Sequence, residues 1–73
     1  MIMTRYVILI EPTGTGYSAY LPDLPGCVAA ADTLEEVERL MREAVEFHLE
    51  GLRAGGEPVP PAHTYATYVE VAA

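Results

Sequence analysis

The sequence predicts an α+β domain in the order β-β-β-α-β, with an antiparallel sheet and one helix packed on one of its faces. Three observations carry that reading. Short apolar runs, β-branched or aromatic at 5–11 and 17–21 and of small residues at 27–31, are separated by turn-forming clusters. A helical stripe of apolar residues begins at Leu34, directly behind a capping sequence. A last run, Thr64 to Val71, alternates in the manner of a strand after a proline-rich linker. Seventy-three residues allow one domain, spanning 1–73.

Arg5 to Glu11 is aliphatic without clean polar alternation, as expected of a strand covered on both faces. Pro12-Thr13-Gly14-Thr15-Gly16 is a turn cluster, so Tyr17 to Leu21 returns as an antiparallel strand. The hexapeptide Pro22-Asp23-Leu24-Pro25-Gly26-Cys27 then reads as a rigid bend. Pro25 pre-sets φ, and Gly26 supplies the positive φ that a type II turn needs. Asp23 is expected to stiffen the bend by accepting backbone N–H groups two residues on. Cys27 to Ala31 forms a third strand of small residues, which lets another backbone or the helix approach closely.

Thr33 and Glu36 have the spacing of a capping box, the hydroxyl serving the helix N–H groups and the glutamate reaching back to the cap. The helix is expected from Leu34 to about Arg53. Leu34, Val37, Met41, Ala44, Val45, His48 and Leu52 share one face at 100° per residue. Leu40 and Phe47, seven apart, flank that stripe. They are the candidates for an oligomer interface, the alternative being contact with the loop before the last strand. Gly55-Gly56 ends the helix through a left-handed cap, and Glu57-Pro58-Val59-Pro60-Pro61 is an extended linker. In the last strand Tyr65, Thr67, Val69 and Val71 face one way, and Ala66, Tyr68 and Glu70 the other.

Eleven acidic residues stand against four arginines, a formal net charge of −7. Phosphate contacts are made mainly by Lys and Arg, so the balance argues against direct binding of nucleic acid. It favours encounter with a basic partner. A single cysteine suits a reducing compartment, and no leader or spanning run is visible, so a cytoplasmic setting is expected. A short chain with no disulfide or metal staple buries little surface, which predicts a homodimer or higher homo-oligomer.

Catalytic chemistry finds little support. His48 lies in the helix stripe as a core histidine, and His63 follows the linker, expected to be exposed. Neither has a metal-ligand neighbour. Ser18 lacks a nucleophile elbow, Cys27 has apolar or acidic neighbours, and Gly14 and Gly16 are not followed by a helix. Glu11, Asp23 and Asp32 fall at strand ends, so a metal-dependent nuclease requires them to converge. The expectation is no enzyme, no cofactor and no metal.

Several pieces occur in a specific order: the apolar first strand, Gly16-Tyr17-Ser18-Ala19-Tyr20, the Pro22–Cys27 bend and Asp32-Thr33-Leu34-Glu35-Glu36. Glu43-Ala44 and the Pro58-Val59-Pro60 linker complete the series. Together, from about Tyr6 to Pro61, the string resembles the HicB-like antitoxin family. That resemblance implies a partial ribonuclease H-like fold. It also implies an antitoxin-type domain that masks a small, basic, mRNA-cleaving HicA-like toxin. Members of the usual type add a DNA-binding segment, which this sequence lacks, so neutralisation is implied without autorepression. On this reading Asp23, Leu24, Pro25, Gly26, Cys27, Thr33 and Glu36 hold the fold, and Glu11, Asp32 and Glu70 are the candidates for partner contact. The alternatives are an orphan self-associating domain with no toxin, and the metal-dependent nuclease.

Overall fold

The computed structural model describes residues 3–73. Three strands, β1 (Leu9–Pro12), β2 (Tyr17–Tyr20) and β3 (Val28–Ala31), precede one helix, α1 (Leu34–Ala54). The strands form an antiparallel sheet in the order β1-β2-β3. Leu9 stands opposite Tyr20 and Ile10 opposite Ala19, while Ala19 and Tyr20 stand opposite Ala29 and Val28. The antiparallel sheet with a helix on one face is therefore the fold expected from the sequence.

Each hairpin is set by local chemistry. Between β1 and β2, the Thr13 N–H donates to the Gly16 carbonyl at 2.8 Å, and the Thr13 hydroxyl oxygen accepts from the Gly16 N–H at 3.0 Å. Gly16 has no room for a side chain: a Cβ there would lie 2.3 Å from the Ala31 carbonyl oxygen. Between β2 and β3, the Cys27 N–H donates to the Leu24 carbonyl at 3.2 Å, closing a turn with Pro25 and Gly26 at its centre. Gly26 has φ of 92°, as a type II turn demands.

The face toward the helix carries the core. Ala19, Leu21, Leu24, Cys27, Val37 and Met41 are buried, with Tyr6, Ile8, Ile10, Tyr17, Ala29, Ala31, Val45 and Leu49 packed around them. Leu24 is fully buried, so the bend is a core element as well as a turn. The helix lies across β3 and β2 and does not reach β1. Small side chains at Ala29 and Ala31 allow that close approach.

At the helix start, the Thr33 hydroxyl oxygen accepts from the Glu36 N–H at 3.1 Å. The reciprocal Glu36 half of the box is not formed among the described residues. Glu35 and Glu36 in the first turn and Arg53 in the last complement the helix dipole. At the other end the Glu57 N–H donates to the Leu52 carbonyl and the Gly56 N–H to Arg53, with Gly56 at φ of 71°. This is a Schellman stop.

Four expectations need correction. The run 64–71 is in no strand and is not part of the sheet; instead its start at Thr64 is bonded to the bend between β2 and β3. The first strand is not covered on both faces, since Leu9 on the side away from the helix is exposed. The helix stripe is rotated slightly: Leu34 is exposed and Leu49 joins the core, while His48 is only half-buried. Phe47 is 79% exposed and Leu40 half-buried, so Phe47 does not pack on the loop before residue 64.

With so few buried side chains, single truncations weigh heavily. Leu24→Ala is expected to cost about 2–5 kcal/mol by leaving a cavity under the bend. That is a large share of the roughly 5–10 kcal/mol available to a short chain. Gly16→Ala is expected to cost about 1–3 kcal/mol by forcing β3 away from the hairpin. Urea denaturation of the two variants checks both figures.

Candidate functional site

Two features of the structure bring polar groups into definite geometry: the exposed sheet face away from the helix, and a buried clamp at Asp23.

The antiparallel register places Leu9, Tyr20 and Val28 side by side across the outer face. They are 37, 43 and 66% exposed. The next row is Glu11, Ser18 and Ala30, and Asp32 follows directly after β3 at the same end of the sheet. Glu11 and Asp32 are both exposed, and none of the three strands contains a basic residue. The outer face is thus an apolar row with acidic groups at one end. It can take a partner that offers apolar contact bordered by positive charge. Glu11 and Asp32 are brought to this end together, whereas Glu70 lies on the extended last segment, outside the sheet. The apolar row itself escapes a reading of the sequence, because it exists only once both hairpin registers are known.

Asp23 has a different role from the one its position in the bend suggested. Its side chain is 1% exposed, and its carboxylate reaches a segment forty residues away. Oδ2 accepts from the His63 N–H at 3.0 Å and the Thr64 N–H at 3.2 Å. Oδ1 accepts from the Thr64 hydroxyl at 2.6 Å and lies against Nδ1 of the His63 ring, itself mostly exposed. The Tyr6 hydroxyl adds a second tie, donating to the Pro60 carbonyl oxygen at 2.6 Å. The Thr64 hydroxyl bond lowers the Asp23 pKa most. Burial opposes it, and the two backbone N–H bonds and the charge of His63 add to the lowering. No local sequence signal announces this pairing, since its members are so far apart along the chain.

The remaining candidates are structural or dispersed. Cys27 is buried and its thiol pKa is pushed up by desolvation, which keeps it protonated and unreactive. Among the described residues no three His, Cys, Asp or Glu side chains gather as metal ligands. Asp23 is committed to the clamp, and Glu11 stands on the outer face, so the carboxylates that a nuclease needs together are apart. No described helix is long and apolar enough to cross a membrane.

A carboxylate with a lowered pKa stabilises the fold above its ordinary value near 3.8 and loses that contribution as pH falls through the lowered one. Asp23→Ala is therefore expected to unfold at lower temperature than the parent at neutral pH. The gap should close progressively under acidic conditions below the ordinary carboxylate range. Thermal melts of both proteins across that range check the sign.

Comparison with known proteins fits this geometry. A chain of the solved HicA3 and HicB3 toxin-antitoxin complex superposes with a TM-score of 0.68 at 35% identity, covering 81% of this chain and 70% of that one. A UPF0150 protein from Synechocystis is 41% identical over 77% of this chain and 72% of its own length. An uncharacterized 14.9 kDa protein of Haemophilus phage HP1 is 39% identical over 88% of this chain, which spans only 48% of that relative. The family model of the HicB-like antitoxin of bacterial toxin-antitoxin systems matches residues 6–72. The chain belongs to the HicB-like antitoxin family.

Proposed function

We propose that this chain, as one domain over 1–73, is the toxin-masking part of an antitoxin. Its outer sheet face would hold a small, basic, mRNA-cleaving HicA-like toxin. The observation that carries the reading is the uncovered Leu9–Tyr20–Val28 row with Glu11 and Asp32 at its end. A toxin that grips RNA must present positive charge, and this face offers the opposite sign beside an apolar centre. The family and the solved complex that resembles the chain support the same partner class. Masking requires no catalysis by the antitoxin, no cofactor and no contact with nucleic acid, and it belongs in the cytoplasm where mRNA is. Glu70 can add to the acidic surface from the last segment.

A second reading, self-association, is favoured by the exposure of Tyr65, Tyr68, Val69 and Val71 together with Phe47. It accompanies toxin binding or, in an orphan domain, replaces it. Leu40 and Phe47 on the helix flank are one candidate interface.

The test is co-expression with a short basic toxin encoded beside this chain, followed by pull-down and by rescue of toxin-induced growth arrest. Tyr20→Ala is expected to weaken the complex about tenfold or more, as for a central interface aromatic. Glu11→Gln with Asp32→Asn should chiefly slow association and flatten its salt dependence. Absence of binding at low salt together with absence of rescue removes the antitoxin reading.

A further inference from the structure

We infer that two copies of this chain exchange their last segments, residues 64–72 of each adding as a fourth strand to the free edge of β1 in the other. This deepens the self-association part of the reading above and does not depend on a toxin. The receiving edge is defined by the hydrogen-bond pattern. The Thr13 N–H points across to the Gly16 carbonyl, the Leu21 N–H points to Cys27 on the other side of β2, and inward and outward groups alternate along an antiparallel ladder. Within β1, Glu11 and Leu9 therefore bond to β2 while Ile10 turns its N–H and C=O groups outward, and the same alternation carried one step before the strand turns Ile8 outward as well. Among the described residues β1 has a strand neighbour on one side alone.

Beneath that edge lies the part of the sheet that the helix does not cover. An open groove of about 780 Å³ lies there, lined by the apolar Tyr6, Ile8, Ile10, Val45 and Leu49 and by charged side chains of the helix such as Arg42 and Glu46. A strand laid along β1 would close it with every second side chain. The last segment has the required pattern: Tyr65, Thr67, Val69 and Val71 on one side, and one charged residue, Glu70, in the whole run. In the single chain Tyr65, Tyr68, Val69 and Val71 are 96, 98, 84 and 72% exposed.

The segment does not reach its own β1. Asp23 holds His63 and Thr64, Tyr6 holds Pro60, and the residues beyond run on without a strand partner among the described residues. The molecule is 48 Å long but only 27 by 21 Å across. A projecting strand and an open edge on the same molecule are satisfied together by a twofold pair, each copy giving and receiving once. Like charge also selects this mode. Each copy carries a formal charge of −7, and a nearly uncharged strand can join two such bodies through backbone bonds and apolar contact.

Sedimentation of the full chain at up to about 100 µM is expected to show a dimer, one that tightens as salt screens the repulsion. Val69→Pro removes an N–H from the donated strand without touching the single-chain core. It is expected to weaken the dimer about thirtyfold or more while preserving the helical circular dichroism. Phe47→Asp, on the helix flank, should leave the dimer intact. In a dimer mixed from differently labelled copies, methyl contacts between Val69 or Val71 and Ile8 or Ile10 should run between copies. A monomer throughout the range overturns the inference, as do a dimer unaffected by Val69→Pro, one abolished by Phe47→Asp, or contacts confined within one copy. A monomer that still binds and neutralises a toxin rejects strand exchange and leaves the antitoxin reading standing.

Discussion

The crossing of the chain at Asp23 governs how the rest is arranged. A buried carboxylate must have its oxygens satisfied, because an unpaired charge away from water is far costlier than a paired one. Here the satisfying donors come from His63 and Thr64, so the bend between β2 and β3 and the chain beyond the helix are fixed to each other. The linker that joins them, 57–62, is thereby stretched past Tyr6 and tied to it at Pro60. Leu24, next to Asp23, points the same bend into the core. One short peptide thus closes a turn, fills the interior and anchors a distant segment.

The consequence for the sheet is asymmetry. One face receives the helix over β2 and β3, and the other is left exposed at Leu9, Tyr20 and Val28 among the described residues. A helix centred over β1 would bury Ile8 and Ile10 more fully, but the alanines of β3 draw it the other way by permitting closer packing. The domain is left with an apolar outer row, an uncovered strip beside β1 and an exposed last segment outside the sheet. In a chain of this length these are the places where association supplies what the small core does not.

Much of this was legible in the residues. The Pro25-Gly26 turn, the Thr33 cap and the Gly56 stop each obey local rules, and those rules hold because φ preferences and capping act over three or four residues. The fourth strand failed for the opposite reason. Its alternation describes a segment able to pair, but pairing needs an available edge, and the clamp at Asp23 decides which edge the segment can reach. The same distance hid the clamp itself, since nothing near Asp23 foretells Thr64. The outer row is hidden in the sequence because Leu9, within an aliphatic run, reads as part of a strand buried on both faces, whereas in the fold its side is without cover. Leu49 joins the packed side of the helix beside a half-buried His48, a rotation too small for periodicity to resolve.

Pro12 gives the open edge of β1 a boundary. It is the last residue of that strand, its position in the ladder alternation puts its nitrogen on the outward side, and that nitrogen has no hydrogen to donate. The usable stretch of edge is therefore confined to the neighbourhood of Ile8 and Ile10. A long, flat, unguarded edge nucleates indefinite stacking of one molecule on the next. An edge this short accepts a single visitor and then offers nothing further, so growth stops at a closed particle instead of continuing into a fibre.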